Sequence, residues 1–102
     1  MPASIILRED NTKPDGSRYE MVAWAVPESD EFPEGLNYSF QYMDAAGETL
    51  LRFDNAPYHL DVGRHHRHTP EGEIESLEYT GLPDLIEQFQ TEVTELYEQR
   101  SD

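Results

Sequence analysis

The sequence predicts an α+β fold, in which an antiparallel meander of about five strands carries one C-terminal amphipathic helix packed on a face. Two observations lead to this prediction. Segments rich in strand-forming residues are separated by turn signals, with regular alternation over residues 36–43, and an apolar stripe at helical spacing is found near the C-terminus. The length of 102 residues fits a single domain spanning residues 1–102.

Turn signals separate the predicted strands. Lys13-Pro14-Asp15-Gly16 indicates a hairpin turn, and Asp44-Ala45-Ala46-Gly47 indicates a second one in which Gly47 takes a left-handed conformation. The strand between residues 36 and 43 alternates regularly, which predicts one wetter side of the sheet. The predicted strands lie near residues 4–9, 18–26, 36–43, 48–54 and 73–79.

A helix is predicted near residues 83–99. Pro83 suits the first helical position, and Arg100 suits the negative end of the helix dipole. Six apolar residues form a stripe at helical spacing, and we expect this stripe to pack against the sheet. These residues are Leu85, Ile86, Phe89, Val93, Leu96 and Tyr97.

The composition excludes several classes of protein. There is no cysteine, so a disulfide framework, a zinc ribbon and a thiol nucleophile are all excluded. No apolar run approaches the roughly 20 residues of a membrane-spanning helix, and residues 1–10 show no signal-peptide pattern, so we expect a cytoplasmic protein that does not enter a membrane. The net charge of -15 indicates the acidic surface of a salt-in halophile, because molar salt screens the repulsion between carboxylates.

One segment departs from this acidity. Residues 52–68 contain three arginines, two aspartates and all four histidines, so the segment sums to +1 and the rest of the chain carries -16. Much of it falls in a long predicted connection, residues 55–72, and connections of this length inside a small domain are usually functional. We therefore predict that residues 55–72 form a functional loop that meets an anion, a metal or a partner.

The residue types in this segment suit phosphate chemistry. Histidine titrates near neutral pH and can act as general acid or base, while arginine gives bidentate contacts to phosphate. Metal-independent RNA cleavage requires a base for the 2′-hydroxyl proton, an acid for the leaving oxygen and a cation for the phosphorane. The candidate catalytic residues are His66, His68, His65 and Asp54. The candidate phosphate-binding residues are Arg52, Arg64, Arg67, Asn55 and His59.

Strand geometry groups some of these candidates. Arg52 and Asp54 lie two residues apart at a strand end and therefore project to the same face. If residues 64–68 are extended, Arg64, His66 and His68 share one face, while His65 and Arg67 share the other.

Three other interpretations stay open for the same residues. His66 and His68 could bind a divalent metal together with Asp54 or His59, but no recognised metal-site spacing supports this, so no metal or cofactor is assigned. Asp54 could simply hold Arg52 in a salt bridge. The histidines could also form a solvated loop without a chemical role.

The segment Leu51-Arg52-Phe53-Asp54-Asn55-Ala56-Pro57, followed by His65-His66-Arg67-His68 and a C-terminal helix, resembles the TumE-like family. Members are small toxins of toxin-antitoxin pairs, with an R-[YF]-D-N-A motif followed by an H-H-x-H motif. The resemblance implies a helix-turn-helix antitoxin as partner and a target in RNA or the translation machinery.

The sequence thus predicts the toxin of a toxin-antitoxin module, acting as a small metal-independent ribonuclease through its His/Arg-rich loop. In this interpretation Asp54 orients a histidine or Arg52. The alternative is a non-catalytic binding module whose basic loop docks on nucleic acid or on an acidic partner protein, and a metal-dependent hydrolase comes third. No oligomeric state is predicted.

Overall fold

The computed structural model describes residues 3–56 and 63–100. It contains one antiparallel sheet whose six strands follow each other in chain order, and one C-terminal helix. The predicted α+β class is therefore confirmed. The elements are β1 (Ser4–Thr12), β2 (Arg18–Ala25), β3 (Leu36–Met43), β4 (Thr49–Asp54), β5 (His66–His68), β6 (Ile74–Ser76) and α1 (Leu82–Arg100).

The additional strand is β5, which lies inside the segment predicted as a loop, residues 55–72. That part of the loop prediction is wrong. β5 pairs with β4, where His66 is opposite Asp54 and His68 is opposite Arg52, and it also pairs with β6. A strand of three residues is too short to show a recognisable alternation pattern, so the sequence offers no signal for it.

Helix α1 covers one face of the sheet. Its Phe89 is fully buried and makes edge-to-face ring contacts with Phe40 on β3 and Phe53 on β4. The helical stripe thus packs against the sheet, as its spacing predicts, and Leu85 and Val93 join the same core. The alternation of β3 places Tyr38, Phe40 and Tyr42 in this core.

The other face of the sheet, which we call the open face, carries the alternate residues of each strand. Ser39 on β3 pairs with Asp54 on β4, which in turn pairs with His66 on β5, so these three side chains project away from α1. In the described part of the chain, no helix or second sheet packs on this face. No helix within residues 3–56 and 63–100 is both long and apolar enough to cross a membrane.

Candidate functional site

Asp54 is the centre of a charged cluster on the open face, which we call the Asp54 cluster. Its Oδ2 lies 2.9 Å from Nε of Arg52 and 3.3 Å from Nε2 of His68, while its Oδ1 lies 3.2 Å from Nδ1 of His66. The register of β4 and β5 creates this arrangement, because it places Arg52 beside His68 and Asp54 beside His66. Four of the sequence-predicted site residues are therefore brought together.

The members of the Asp54 cluster differ in their access to solvent. The side chains of Asp54 and His66 are 1% and 0% exposed, whereas those of Arg52 and His68 are 37% and 22% exposed. A molecule that approaches the open face therefore meets Arg52 and His68, with Asp54 and His66 behind them.

The chemistry of Asp54 sets the proton positions around it. A carboxylate can only accept hydrogen bonds, so the contact between Asp54 Oδ1 and His66 Nδ1 requires a proton on that nitrogen. The charges of Asp54 and Arg52 cancel, so the cluster has a net positive charge whenever either histidine is protonated. Such a cluster can hold an anion at Arg52 and exchange a proton at His68.

His65 belongs to a different group on the α1 side of the sheet. Its Nδ1 lies 2.8 Å from the Tyr38 hydroxyl, and its Nε2 lies 3.2 Å from Oε2 of Glu34 in the β2–β3 connection. Tyr79 stacks on the imidazole with ring centroids 4.6 Å apart. His65 is thus buried and held on both ring nitrogens, an arrangement that fixes the start of β5.

The two tyrosines beside His65 are kept neutral. Burial raises the pKa of Tyr38, and the negative charge of Asp54 adds to this effect. Burial also raises the pKa of Tyr79, with a smaller contribution from the charge of Glu34. A neutral Tyr38 can donate its hydroxyl proton to His65 Nδ1, which then leaves Nε2–H to donate to Glu34.

Arg67 also points to the α1 side, where carboxylates surround it. Its Nε and Nη2 donate to Oε1 of Glu92 on α1, at 2.8 and 2.6 Å, and its Nη1 donates to Glu75 on β6 at 2.7 Å. Hydrogen bonding to Glu92 raises the pKa of the Arg67 guanidinium. The side chain therefore joins α1, β5 and β6, and a phosphate would have to displace two carboxylates to reach it.

Asn55 and Arg64 also lie outside the Asp54 cluster. Asn55 is buried, where its Oδ1 accepts from the Tyr38 backbone N–H at 3.0 Å and its Nδ2 donates to the Leu36 carbonyl at 2.7 Å. Arg64 is exposed and donates to the Asp30 carbonyl at 2.5 Å. His59, the remaining predicted phosphate-binding residue, lies outside the described residues.

The face assignments from strand alternation hold for β5, since His66 and His68 share one side and Arg67 takes the other. The sequence does not show which residues form hydrogen bonds with His65 and Arg67. Glu34 lies in an acidic connection without periodicity, and Glu92 is one of many helix carboxylates. No group of three or more His, Cys, Asp or Glu within residues 3–56 and 63–100 is arranged to hold a metal ion.

Comparison with protein families gives a match over most of the chain. The model of the family described as toxin TumE matches residues 3–97, which include all six strands and most of α1. Neither the comparison with curated proteins nor that with solved structures gives a match.

Proposed function

The chain belongs to the TumE toxin family, and we propose that this toxin of a toxin-antitoxin module acts as a small metal-independent ribonuclease. The observation that carries the proposal is the Asp54 cluster, in which one buried carboxylate joins an exposed arginine and an accessible histidine. These groups supply the cation and the proton acceptor that cleavage next to a 2′-hydroxyl requires.

In the proposed reaction, Arg52 binds the scissile phosphate and His68 takes the proton of the neighbouring 2′-hydroxyl. The 2′-oxygen then bonds to phosphorus while the bond from phosphorus to the 5′-oxygen breaks, and the leaving oxygen takes a proton from water. The products are a 2′,3′-cyclic phosphate and a 5′-hydroxyl. Arg52 stabilises the charge that develops on the phosphorane oxygens.

Asp54 and His66 act in this proposal as positioning residues. Asp54 orients both Arg52 and His68, because its Oδ2 faces both of them. His66 is fully buried and holds the other carboxylate oxygen, so its contribution to the reaction passes through Asp54. The orienting role of Asp54 is the one that the sequence suggests, whereas His66 takes a positioning role in place of the acid or base role that the sequence suggests for it.

The strong acidity of the chain is compatible with an RNA substrate under the proposed halophilic conditions. In molar salt the Debye length is about 3 Å, so distant carboxylates do not repel the phosphate backbone and contacts at short range decide binding. We further propose that the protein works in the cytoplasm, where a helix-turn-helix antitoxin neutralises it.

Growth arrest in a halophilic host tests the proposal. Expression of the wild-type chain without antitoxin is expected to arrest growth. His68→Ala is expected to relieve the arrest, because loss of a general base costs about 100-fold to 10,000-fold in rate. Arg52→Ala is expected to relieve it as well, because it removes the cation that stabilises the phosphorane. Arg100→Ala at the exposed end of α1 is the matched arginine control and should remain toxic.

The folding of each variant is checked by circular dichroism in molar KCl. If folded His68→Ala and Arg52→Ala proteins remain as toxic as the wild type, the ribonuclease proposal is wrong. The non-catalytic alternative predicts a different pattern, in which arginine substitutions weaken association by graded amounts and no histidine is decisive.

A further inference from the structure

The strand residues whose side chains lie on the open face have a net charge of zero, so they carry none of the protein's net negative charge. Their registers place three arginines and three carboxylates on this face, namely Arg8, Arg18, Arg52, Asp10, Glu20 and Asp54. The chain has 7 basic and 22 acidic residues, so the remaining 4 basic and 19 acidic residues account for the full charge of -15. Arg18 pairs with Glu20 at 2.6 Å and Arg52 with Asp54 at 2.9 Å, which neutralises two of the three carboxylates.

A polyanion therefore meets less repulsion from the strand residues of the open face than from helix α1. Helix α1, on the other side of the sheet, carries Asp84, Glu87, Glu92, Glu95 and Glu98. The side chains of β3 on the open face are Asn37, Ser39 and Gln41, which are neutral and can form hydrogen bonds. All three are half-buried, so they remain partly accessible to a ligand. The composition of this face suits phosphates and nucleotide bases better than the composition of the α1 side does.

Trp24, the one tryptophan of the chain, also lies on the open face. On β2 it alternates with Ala23, which is fully buried in the core on the α1 side. Trp24 itself is half-buried, and its cross-strand neighbour on β1 is Ile5, whose exposed fraction is 54%. An indole next to the polar side chains of β3 offers a flat surface on which a nucleotide base can stack.

The sheet places this indole close to the Asp54 cluster. Val22 on β2 pairs with Ser39, and Ser39 pairs with Asp54, so Trp24 is two strands and two residues away from Asp54. With strands about 4.8 Å apart and about 3.4 Å per residue, the Cα atoms of Trp24 and Asp54 are about 12 Å apart. A short single strand of RNA spans this distance.

We propose that the open face binds single-stranded RNA, with a base stacked on Trp24 and a nearby phosphate held at Arg52. This inference rests on the proposed ribonuclease function and names the surface that presents its substrate. Single-stranded RNA is the class that fits, because its unstacked bases are available to an aromatic side chain whereas those of a duplex are not.

Tryptophan fluorescence tests this proposal directly, because Trp24 is the sole reporter. The probe is a short 2′-O-methyl RNA of mixed sequence, which binds but cannot be cleaved since its 2′-oxygen is blocked. In molar KCl, addition of this RNA is expected to quench the emission of the wild-type protein, and the same RNA in a duplex is expected to quench it less.

Variants measure the contribution of stacking to affinity. Using the labelled probe, Trp24→Ala is expected to raise Kd by about 5-fold to 150-fold, the equivalent of one stacked base, while Trp24→Phe keeps most of the affinity. Tyr97→Ala on α1 is the aromatic control and should leave Kd unchanged. A plot of the logarithm of the association constant against the logarithm of the salt concentration should have a slope of about -0.7 for each phosphate contacted.

The results separate this proposal from the ribonuclease proposal. Quenching by the probe without cleavage of natural RNA supports the RNA-binding face and rejects the nuclease. If natural RNA is cleaved but the probe causes no quenching, and Trp24→Ala leaves KM unchanged, the RNA-binding face is rejected and the ribonuclease proposal stands. Quenching by the antitoxin but not by the probe also rejects it, because the face is then a protein interface.

Discussion

Nδ1 of His66 lies 3.2 Å from Oδ1 of Asp54, and both side chains are buried on the face of the sheet that points away from α1, where β4 pairs with β5. This pair links the architecture of the sheet to its proposed chemistry, because the other oxygen of Asp54 faces Arg52 and His68. The strand β5 is short, and its alignment is reinforced by the side chains of His65, His66 and Arg67, each of which is paired with another part of the chain.

Asn55 is predicted to contribute to stability. In Asn55→Ala, the N–H of Tyr38 and the carbonyl of Leu36 lose their side-chain partner, and two unsatisfied buried groups cost about 2 to 6 kcal/mol in the free energy of unfolding. Urea unfolding in molar KCl measures this change. Asn37→Ala, on the open face of β3, is the matched control and should change the free energy of unfolding by about 0.5 kcal/mol or less. Equal stabilities of the two variants would contradict the structural role of Asn55.

Tyr38 is predicted to make the fold sensitive to alkaline pH. Burial raises its pKa in the folded state above the ordinary value of about 10, so the neutral phenol is favoured by folding. The contribution of the neutral Tyr38 phenol to the free energy of unfolding is complete below about pH 10. As the pH rises further, this contribution is lost at up to about 1.4 kcal/mol per pH unit.

Unfolding free energies measured between pH 8 and about pH 11 in molar KCl test this expectation. Tyr38→Phe lacks the titrating group, so its stability should fall less steeply above pH 10 than that of the wild type, although Tyr79 and Tyr19 still contribute. Parallel curves for the two proteins would show that Tyr38 does not cause the decline.

Much of the fold follows from the sequence, because turn signals separate the strands, β3 alternates regularly, and the apolar residues of α1 recur at helical spacing. Strand alternation also predicts that Arg52 and Asp54 share one face, and that His66 and His68 share one face, but the pairing of β4 with β5 that brings the four together is seen only in the structure. The sequence could not predict β5, since three residues carry too little periodicity. The sequence also could not show that Arg52 joins the Asp54 cluster whereas Arg67 does not. The carboxylates that bind Arg67 come from Glu75 on β6 and Glu92 on α1, which are distant in the sequence.

The acidic surface predicts that salt stabilises the protein. At about 0.1 M salt the Debye length is about 10 Å, so repulsion between carboxylates extends across the surface, whereas at about 1 M it falls to about 3 Å. The melting temperature followed by circular dichroism is therefore expected to rise with KCl concentration.

A variant of helix α1 provides the control for this salt effect. Glu87, Glu95 and Glu98 are exposed, and their combined replacement by glutamine removes three negative charges, which should raise the melting temperature at low salt and flatten its dependence on KCl. A wild-type melting temperature that is the same at low and molar salt would reject the halophilic interpretation.

Cleavage of a labelled RNA by the purified toxin in molar KCl with EDTA distinguishes a metal-independent ribonuclease from a binding module. The proposed reaction predicts fragments that end in a 2′,3′-cyclic phosphate and begin with a 5′-hydroxyl, and no cleavage of the 2′-deoxy version of the same strand. It also predicts a rate at least about 100-fold lower in folded His68→Ala. Intact RNA, fragments with 5′-phosphate ends, or undiminished cleavage by His68→Ala would contradict it.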